Sequence, residues 1–259
     1  MTLACVDVSV QLGTRPLLRN ANLGLQAGRV TAILGPNGAG KSTLLSVFGG
    51  QRVADRGRVL LDGVPLNVHT PAALALRRAL MPQESAVAFD FTAEEIVALG
   101  RFPHRRAPSR DEDAIIRAAM ARTDVSALAS RVLNTLSGGE KSRVQMARAL
   151  AQLWHPRPGG ATRWLLLDEP TAALDLAHQH AAMRLLREWA GQGVGVVAVL
   201  HDLNLARRYA DDVIVLDGQA GVHQGPAIEV LQPMLIEQVW AMPCQPVTSA
   251  DGVVQFLFG

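Results

Sequence analysis

Apolar and polar residues alternate over two stretches near the start of the chain, Leu3 to Val10 and Leu17 to Leu25. A period of two places successive side chains on opposite faces of a strand, so both stretches predict half-buried β-strands. Gly13 and the segment Gln26-Ala27-Gly28 supply turn residues after them, which favours antiparallel pairing. A further strand is predicted over Arg58 to Asp62, where an Asp-Gly pair marks a turn.

Short runs that are almost wholly apolar indicate strands buried on both faces. The run from Val30 to Leu34 leads into a glycine-rich loop, after which a helix is predicted from Lys41 to about Gly49. A second helix, Leu174 to Trp189, lies between two further strands and completes a β-α-β unit, which implies a parallel sheet. The further buried strands are Trp164 to Leu167, Val194 to Leu200 and Val213 to Leu216.

From about residue 84 to residue 153 helix-forming residues dominate. Thr92 is predicted to cap a helix over Ala93 to Gly100, and Ser109 to cap one over Asp111 to Arg122. The simplest architecture is therefore an α/β core with a mostly helical insertion. The tail from Ala227 onward predicts one helix followed by an irregular end, and it contains no motif that indicates a function.

The composition is that of a folded protein, with 49% hydrophobic and 19% charged residues in 259. A net charge of +2 is too small to indicate a nucleic-acid partner. No apolar run approaches the roughly 20 residues that a membrane span needs, so we expect the chain not to cross a membrane. Cys5 and Cys244 lie near opposite ends without metal-ligand spacing, which favours a reducing compartment.

The segment from Gly35 to Thr43 fits the phosphate-binding pattern G-x-x-x-x-G-K-[ST] between a predicted strand and a predicted helix. Its glycines let backbone N–H groups turn toward phosphate oxygens, and the helix N-terminus adds a favourable dipole. Lys41 is expected to reach the β- and γ-phosphates, and the Ser42 hydroxyl to ligate Mg²⁺. The loop consists of Gly35, Pro36, Asn37, Gly38, Ala39, Gly40, Lys41, Ser42 and Thr43.

Two acids, Asp168 and Glu169, end the strand that starts at Trp164, at the sheet edge where α/β sites lie. Asp168 fits the carboxylate that holds the Mg²⁺ shell in P-loop enzymes, and Glu169 is placed to polarise the attacking water. A second anion-binding turn, Ser137-Gly138-Gly139, lies at the start of another helix. Because one nucleotide needs only one phosphate-binding loop, we expect this second turn to close over a nucleotide bound by another copy of the chain.

These motifs together resemble the nucleotide-binding subunits of ABC transporters over residues 3 to about 240. The resemblance implies a P-loop NTPase (RecA-like) core, a small antiparallel β subdomain and an inserted helical subdomain. It implies a domain of residues 1–240, with the insertion at about 84–153, and a tail of residues 241–259. Leu136 to Glu140 resembles the signature motif, which completes the ATP site of the opposite subunit in a head-to-tail homodimer.

The same resemblance assigns roles to residues outside the phosphate loop. Gln83 matches a glutamine that touches Mg²⁺ and couples to the membrane subunit, and Asp175 matches the D-loop aspartate. His201 matches a histidine that contacts the γ-phosphate. The implied catalytic residues are Lys41, Glu169 and His201; the implied Mg²⁺ ligands are Ser42, Gln83 and Asp168; Ser137, Gly138, Gly139 and Asp175 complete the ATP site.

Three positions depart from the family pattern. Leu12 stands where many relatives carry an aromatic that stacks on adenine, which weakens the expectation of strict ATP preference. Glu140 replaces a frequent glutamine and Ala172 a frequent serine, and both exchanges look tolerable. His178 and His180 resemble a metal pair, but residues i and i+2 of a helix do not face each other, so we do not expect a metal site there.

The resemblance implies primary active transport driven by ATP with Mg²⁺. Its partners would be two integral membrane permease subunits and, indirectly, a periplasmic haem-binding protein, at the cytoplasmic face of the inner membrane and without nucleic acid. The stretches Asp175 to His180, Trp154 to Arg163 and His201 to Ala206 look most similar to haem-import ATPases. Ferric-siderophore or cobalamin import remains an alternative for the cargo. A soluble, non-transport ABC ATPase and a small P-loop kinase are alternatives of a different class.

Overall fold

A computed structural model describes residues 2–83 and 89–259 of the chain. The expected start of the helical insertion, residues 84–88, lies outside the described residues. The strands are β1 Thr2–Leu12, β2 Arg15–Gln26, β3 Val30–Leu34, β4 Arg56–Leu61, β5 Val64–Pro65, β6 Arg78–Met81, β7 Arg163–Asp168, β8 Val194–Val199, β9 Asp212–Leu216, β10 Val222–Pro226, β11 Cys244–Thr248 and β12 Val254–Phe258.

The helices alternate with the strands of the core and cluster in the middle of the chain. None of those in the described ranges is both long enough and apolar enough to cross a bilayer. The α-helices are α1 Lys41–Phe48, α2 Pro71–Ala75, α3 Ala93–Leu99, α4 Glu112–Arg122, α5 Gly138–Gln152, α6 Leu176–Gly191, α7 Leu203–Tyr209, α8 Ala227–Val230 and α9 Pro233–Trp240.

The central sheet has the strand order β10-β9-β3-β8-β7-β6. All pairs are parallel except the one that joins β10 to β9. Every residue of β3, β7 and β8 is buried, because helices cover both faces of this sheet. The predicted α/β fold with a parallel sheet is therefore confirmed. The strands β6 and β10 were not predicted, since the apolar part of β6 is only three residues long and β10 contains no apolar run.

A second sheet, in the order β2-β1-β4-β5, is antiparallel as predicted. Its buried side chains belong to the same hydrophobic cluster as those of α1 and of one face of the central sheet. Gly57 at the start of β4 has φ +80°, and a Cβ there would lie 2.4 Å from the carbonyl oxygen of Val6. Only glycine permits this close approach of β4 to β1.

The helices α3, α4 and α5 share a hydrophobic cluster of their own, separate from the two clusters of the sheets. Thr92 caps α3 as predicted, in a capping box with Glu95. The prediction that Ser109 caps the next helix was wrong, because α4 begins at Glu112 with Asp111 as its first flanking residue. The Glu112 carboxylate instead turns back to accept hydrogen bonds from Arg101 (2.6 Å) and from the Ser109 N–H (2.7 Å).

The expectation of an irregular C-terminal end was also wrong. After α8 and α9 the chain forms an antiparallel hairpin of β11 and β12. Phe256 is 2% exposed and belongs to the main core cluster. The side chain of Asn204, on α7, accepts a hydrogen bond from the Phe256 N–H (2.6 Å) and donates one to the Phe256 carbonyl (3.1 Å). These contacts with α7, which are distant in sequence, hold the hairpin.

Candidate functional site

The glycine-rich loop runs from the end of β3 to the start of α1, as the sequence predicted. Lys41 opens α1, and its Nζ donates hydrogen bonds to the carbonyl oxygens of Gly35 (2.9 Å) and Pro36 (3.1 Å). Gly35 has φ +146°, and a Cβ there would lie 2.4 Å from the carbonyl oxygen of Leu216. The loop therefore requires glycine at position 35. The Lys41 side chain folds back to contact carbonyl groups of the same loop.

The electrostatics of the loop are those of an anion site. Burial lowers the pKa of the Lys41 ammonium, and the nearby carboxylates of Glu169 and Asp168 oppose that shift. The first turn of α1 itself contains no acidic residue, and the carboxylates near its N-terminus are those of Asp168 and Glu169 at the end of β7. A phosphate chain would therefore meet the lysine, the helix dipole and free backbone N–H groups together.

Ser42 and Asp168 meet at the end of β7, as the paired motifs require. The Ser42 hydroxyl donates a hydrogen bond of 3.0 Å to Asp168. Burial raises the pKa of the Asp168 carboxyl, and this hydrogen bond partly opposes the shift. A hydroxyl, a carboxylate and the side-chain oxygen of Gln83 are hard oxygen donors, a set that fits Mg²⁺. In the part of the chain that the structure describes, no group of three His, Cys, Asp or Glu residues could hold a metal by itself.

Glu169 lies between two further residues that the sequence singled out. Gln83 donates a hydrogen bond of 2.9 Å from its amide nitrogen to one carboxylate oxygen of Glu169. Nε2 of His201 lies 2.6 Å from the other oxygen. The backbone of Glu169 has φ +51°, a left-handed conformation that non-glycine residues adopt at a cost of about 1–3 kcal/mol. Strain of this kind at a polar, converging site is typical of functional residues.

These residues surround one open cavity of about 490 Å³. It lies between the phosphate loop, the ends of β6 and β7, and the turn between β1 and β2. Its size is that of a small-molecule pocket. Lining residues that the sequence had singled out are Leu12, Asn37, Gly38, Gly40, Lys41, Ser42, Thr43, Gln83, Glu169 and His201.

Two neighbours of this cavity were not found from the sequence. Leu17 lines it beside Leu12, and Nη1 of Arg15 would lie 3.7 Å from a Cβ on Gly38. Both residues belong to β2. The alternation predicted a strand only from Leu17 to Leu25, and neither residue carried a sign of a ligand. Only the packing of the antiparallel sheet against the phosphate loop brings them here.

The signature segment does not line the same cavity. Ser137 caps α5 in a capping box with Glu140, whose carboxylate accepts the Ser137 N–H at 2.7 Å. Gly139 packs closely on the backbone of Ala173, since a Cβ would lie 2.9 Å from its carbonyl oxygen. Asp175 caps α6. Within one chain, then, Ser137, Gly138, Gly139 and Asp175 lie outside the lining of the cavity that contains Lys41.

The two histidines of α6 have different hydrogen-bond partners. His178 Nδ1 lies 2.8 Å from the Asp175 carboxylate, and His180 Nδ1 lies 2.8 Å from the Tyr209 hydroxyl. Both contacts are ordinary side-chain hydrogen bonds. The backbone and side chain of His178 together lower the pKa of Asp175.

The structure combines a phosphate loop at the edge of a parallel sheet, a strand that ends in acidic residues and a second glycine-containing turn at the start of a helix. This combination defines a P-loop nucleoside triphosphatase. The family model described as "ABC transporter" matches residues 18–172. The chain belongs to the ABC transporter family and is an ABC-type ATPase that binds ATP.

Curated relatives named hemin import ATP-binding protein HmuV are similar over almost the whole chain. The protein of that name from Rhodococcus jostii is 44% identical, over 98% of this chain and 86% of its own length. The one from Nocardia farcinica is 47% identical, over 93% and 82%. The one from Myxococcus xanthus is 47% identical, over 95% and 92%.

Solved structures give the same fold. An inward-facing metal-chelate type ABC transporter matches with a TM-score of 0.82 at 25% identity, over 100% of this chain and 97% of that chain. A dimeric bacterial ABC transporter cassette matches with a TM-score of 0.75 at 29% identity, over 87% of this chain and 98% of that chain.

Proposed function

We propose that this chain is the ATPase subunit of a haem importer. The observation that carries the ATPase part is the convergence of Lys41, Gln83, Glu169 and His201 on one cavity beside the phosphate loop. In this scheme the Lys41 ammonium stabilises the negative charge that develops on the phosphates. Glu169 polarises the attacking water, and His201 contacts the γ-phosphate beside it.

The metal of this site would be Mg²⁺, held by Ser42, Gln83 and Asp168. It would supply positive charge to the phosphate oxygens. The hydrogen bond between Ser42 and Asp168 supports this assignment, since it places two oxygen atoms that can act as metal ligands 3.0 Å apart. Positioning and charge do most of the work, because phosphoryl transfer requires little covalent chemistry from the protein.

The working unit would be a head-to-tail homodimer. Ser137, Gly138 and Gly139 are absent from the lining of their own chain's cavity, and the N-terminus of α5 offers an anion site there. In the dimer this site would close over the phosphate bound by Lys41 of the other copy, with Asp175 beside the shared interface.

Two membrane permease subunits would dock on the helical insertion within the domain of residues 1–240. The stretch from Phe91 to His104 follows Gln83 in the chain, and two large apolar side chains in it, Leu99 and Phe102, are 50% and 60% exposed. Exposed apolar residues of this size commonly mark contact surfaces. The chain would lie on the cytoplasmic face of the inner membrane.

The cargo assignment rests on the relatives, which are named for hemin import. A haem-loaded periplasmic binding protein would deliver the cargo to the permease, and the chain itself would not bind haem. Cys5 is buried, Cys244 is half-buried, and His178 and His180 already have protein partners.

The test uses the transporter reconstituted in liposomes with its permease and binding protein. We expect haem-loaded binding protein to stimulate ATP hydrolysis and haem uptake, and the double variant His178→Ala, His180→Ala to retain uptake. The purified chain should give no Soret shift with stoichiometric haem. Uptake of a ferric siderophore or cobalamin without haem uptake would overturn the cargo and leave the ATPase assignment intact. ATPase activity that no permease influences would favour a soluble, non-transport ATPase.

A further inference from the structure

A second cavity, of about 430 Å³, opens beside the C-terminal end of α1. Gly50 after α1, Val59 of β4, Leu74 of α2 and Arg78 at the start of β6 form its walls. It shares no lining residue with the cavity that contains Lys41. Its volume lies in the range of about 300–1,000 Å³ that small-molecule pockets occupy.

The charged residues of this second cavity all have the same sign. Arg52, Arg58 and Arg78 line it together with His69, and none of the described lining residues is acidic. The neighbouring carboxylate of Asp55 accepts a hydrogen bond from the backbone N–H of Gln11 (2.7 Å) and is not part of the lining. The cavity therefore presents an uncompensated positive charge.

Two of these basic side chains have a buried nitrogen without a partner. Nη1 of Arg78 and Nε2 of His69 are both buried, and neither has a hydrogen-bond partner among the described residues. Some buried arginine nitrogens elsewhere are paired, since Arg101 binds the Glu112 carboxylate and Arg163 donates to the carbonyl of Leu153 (2.6 Å). Among the described residues, Nε of Arg143 and Nε of Arg207 also lack a partner, but neither residue lines this cavity. A guanidinium stays charged near neutral pH, so leaving it buried and unpaired is costly. An anionic ligand would remove that cost once the Arg78 and His69 side chains turn these nitrogens toward the cavity.

The rest of the lining is mostly apolar, which limits the kind of anion that fits. A bare inorganic ion would leave the apolar wall in contact with water, whereas an acyl or aryl group would cover it. The apolar lining residues are Val47, Val53, Ala54, Val59, Leu66, Pro71 and Leu74.

We propose that this cavity binds a small amphipathic anion. Its carboxylate or phosphate group pairs with Arg78 and His69, and its apolar body lies against Leu66 and Leu74. This chemistry can come from a soluble organic acid or from an anionic lipid. Two elements connect this cavity to the ATP site. Helix α1, which ends beside the cavity, begins at Lys41, and strand β6, which contains Arg78, is followed by Gln83.

The test is isothermal titration of the purified chain with octanoate and octyl phosphate. We expect saturable binding that Arg78→Gln weakens about tenfold or more, since it removes a charge-assisted hydrogen bond. Arg184→Gln, the same exchange at an exposed arginine of α6, should leave the affinity unchanged. Retained ATP binding shows that each variant is folded. If Arg78→Gln fails to fold, Arg58→Gln at the same cavity must weaken octanoate binding.

Three results would overturn the proposal. One is octanol binding as tightly as octanoate, because the charge would then contribute nothing. Another is inorganic phosphate binding as tightly as octyl phosphate, because the apolar wall would then be irrelevant. The third is equal affinity in Arg78→Gln, or Arg58→Gln in its place, and in Arg184→Gln. Vesicles of phosphatidylglycerol, compared with phosphatidylcholine, separate the sources. Arg78-dependent vesicle binding identifies a lipid, and octanoate binding without it identifies a soluble acid.

Discussion

The amide of Gln83 donates a hydrogen bond of 2.9 Å to the carboxylate of Glu169, although 86 residues separate the two along the chain. The sheet explains the pairing. β6 and β7 are parallel neighbours, with Met81 opposite Leu167. Gln83 lies two positions after Met81, and Glu169 lies two positions after Leu167. Both residues therefore reach the same edge of the sheet. Gln83, which precedes the proposed permease-docking stretch in the chain, thus directly contacts Glu169, the residue assigned to the attacking water.

Glu169→Gln should remove most hydrolysis while leaving ATP binding. Loss of one positioned charge at such a site commonly costs about 10²–10³-fold in rate. The substitution should also trap a closed dimer, whereas Lys41→Ala should prevent closure. Phosphate release by the assembled transporter, nucleotide binding and size-exclusion chromatography measure these effects.

Glu229→Gln is the matched control, since it makes the same exchange on α8, away from the cavity. Its turnover should equal that of the unmodified chain. Near-normal turnover in Glu169→Gln would contradict the assigned role.

Leu12→Tyr should tighten ATP binding several-fold. Leu12 lines the ATP cavity and is 60% exposed, so a ring at this position can reach a bound base. Stacking of a ring on adenine contributes about 0.5–1.5 kcal/mol. The same reasoning predicts that GTP competes better with ATP in the unmodified chain than in the variant. Nucleotide titrations check both points, with Val64→Tyr as a ring added outside the cavity; unchanged ATP affinity would mean that another residue already covers the base.

Phe256→Ala should lower the free energy of unfolding by about 3–5 kcal/mol, the usual cost of removing a buried phenyl group. Phe256 is 2% exposed in the main core, whereas Phe258 on the same strand is 46% exposed. Phe258→Ala should therefore cost only about 0.5 kcal/mol. Urea unfolding of the two variants gives the comparison, and equal losses would show that the hairpin is not packed on α7 as described.

The two thiols should differ in reactivity toward iodoacetamide. Burial raises the pKa of Cys5 to about 12, which leaves roughly one thiol in 10⁴ ionised at about pH 8. Burial and Glu237 also raise the pKa of Cys244, but that thiol is only half-buried and should react first. Mass spectrometry of timed reactions distinguishes the two sites, and rapid labelling of Cys5 in the folded protein would contradict its burial.

The same shift predicts a loss of stability in alkali. The folded-state pKa of Cys5 lies above its ordinary value of 9.0, so its contribution to stability is complete below about pH 9 and is lost as the pH rises toward 12. Cys5→Ala should reduce the alkaline loss, as measured by the midpoint of urea unfolding between about pH 8 and 11.

The sequence determined the local parts of this protein. Strands that are apolar throughout, a glycine loop before Lys41 and a Ser137 cap before α5 are encoded by neighbouring residues, so they could be predicted without any knowledge of packing. Their order along the chain also predicted the parallel sheet and the family. Where the local signal was ambiguous, the prediction failed: α4 is flanked by Asp111 and not by Ser109, and the contact of Glu112 with Arg101 is one that neighbouring residues do not encode.

Only the tertiary structure decided which distant residues meet. The contact between Gln83 and Glu169 depends on strand register, and the places of Leu17 and Arg15 beside the phosphate loop depend on how two sheets pack. The hairpin around Phe256 is held by α7, whose residues lie about fifty positions earlier. The lack of a partner for Nη1 of Arg78 among the described residues becomes visible only once its surroundings are known. Periodicity records which face of an element is buried, but it does not record what that face is buried against.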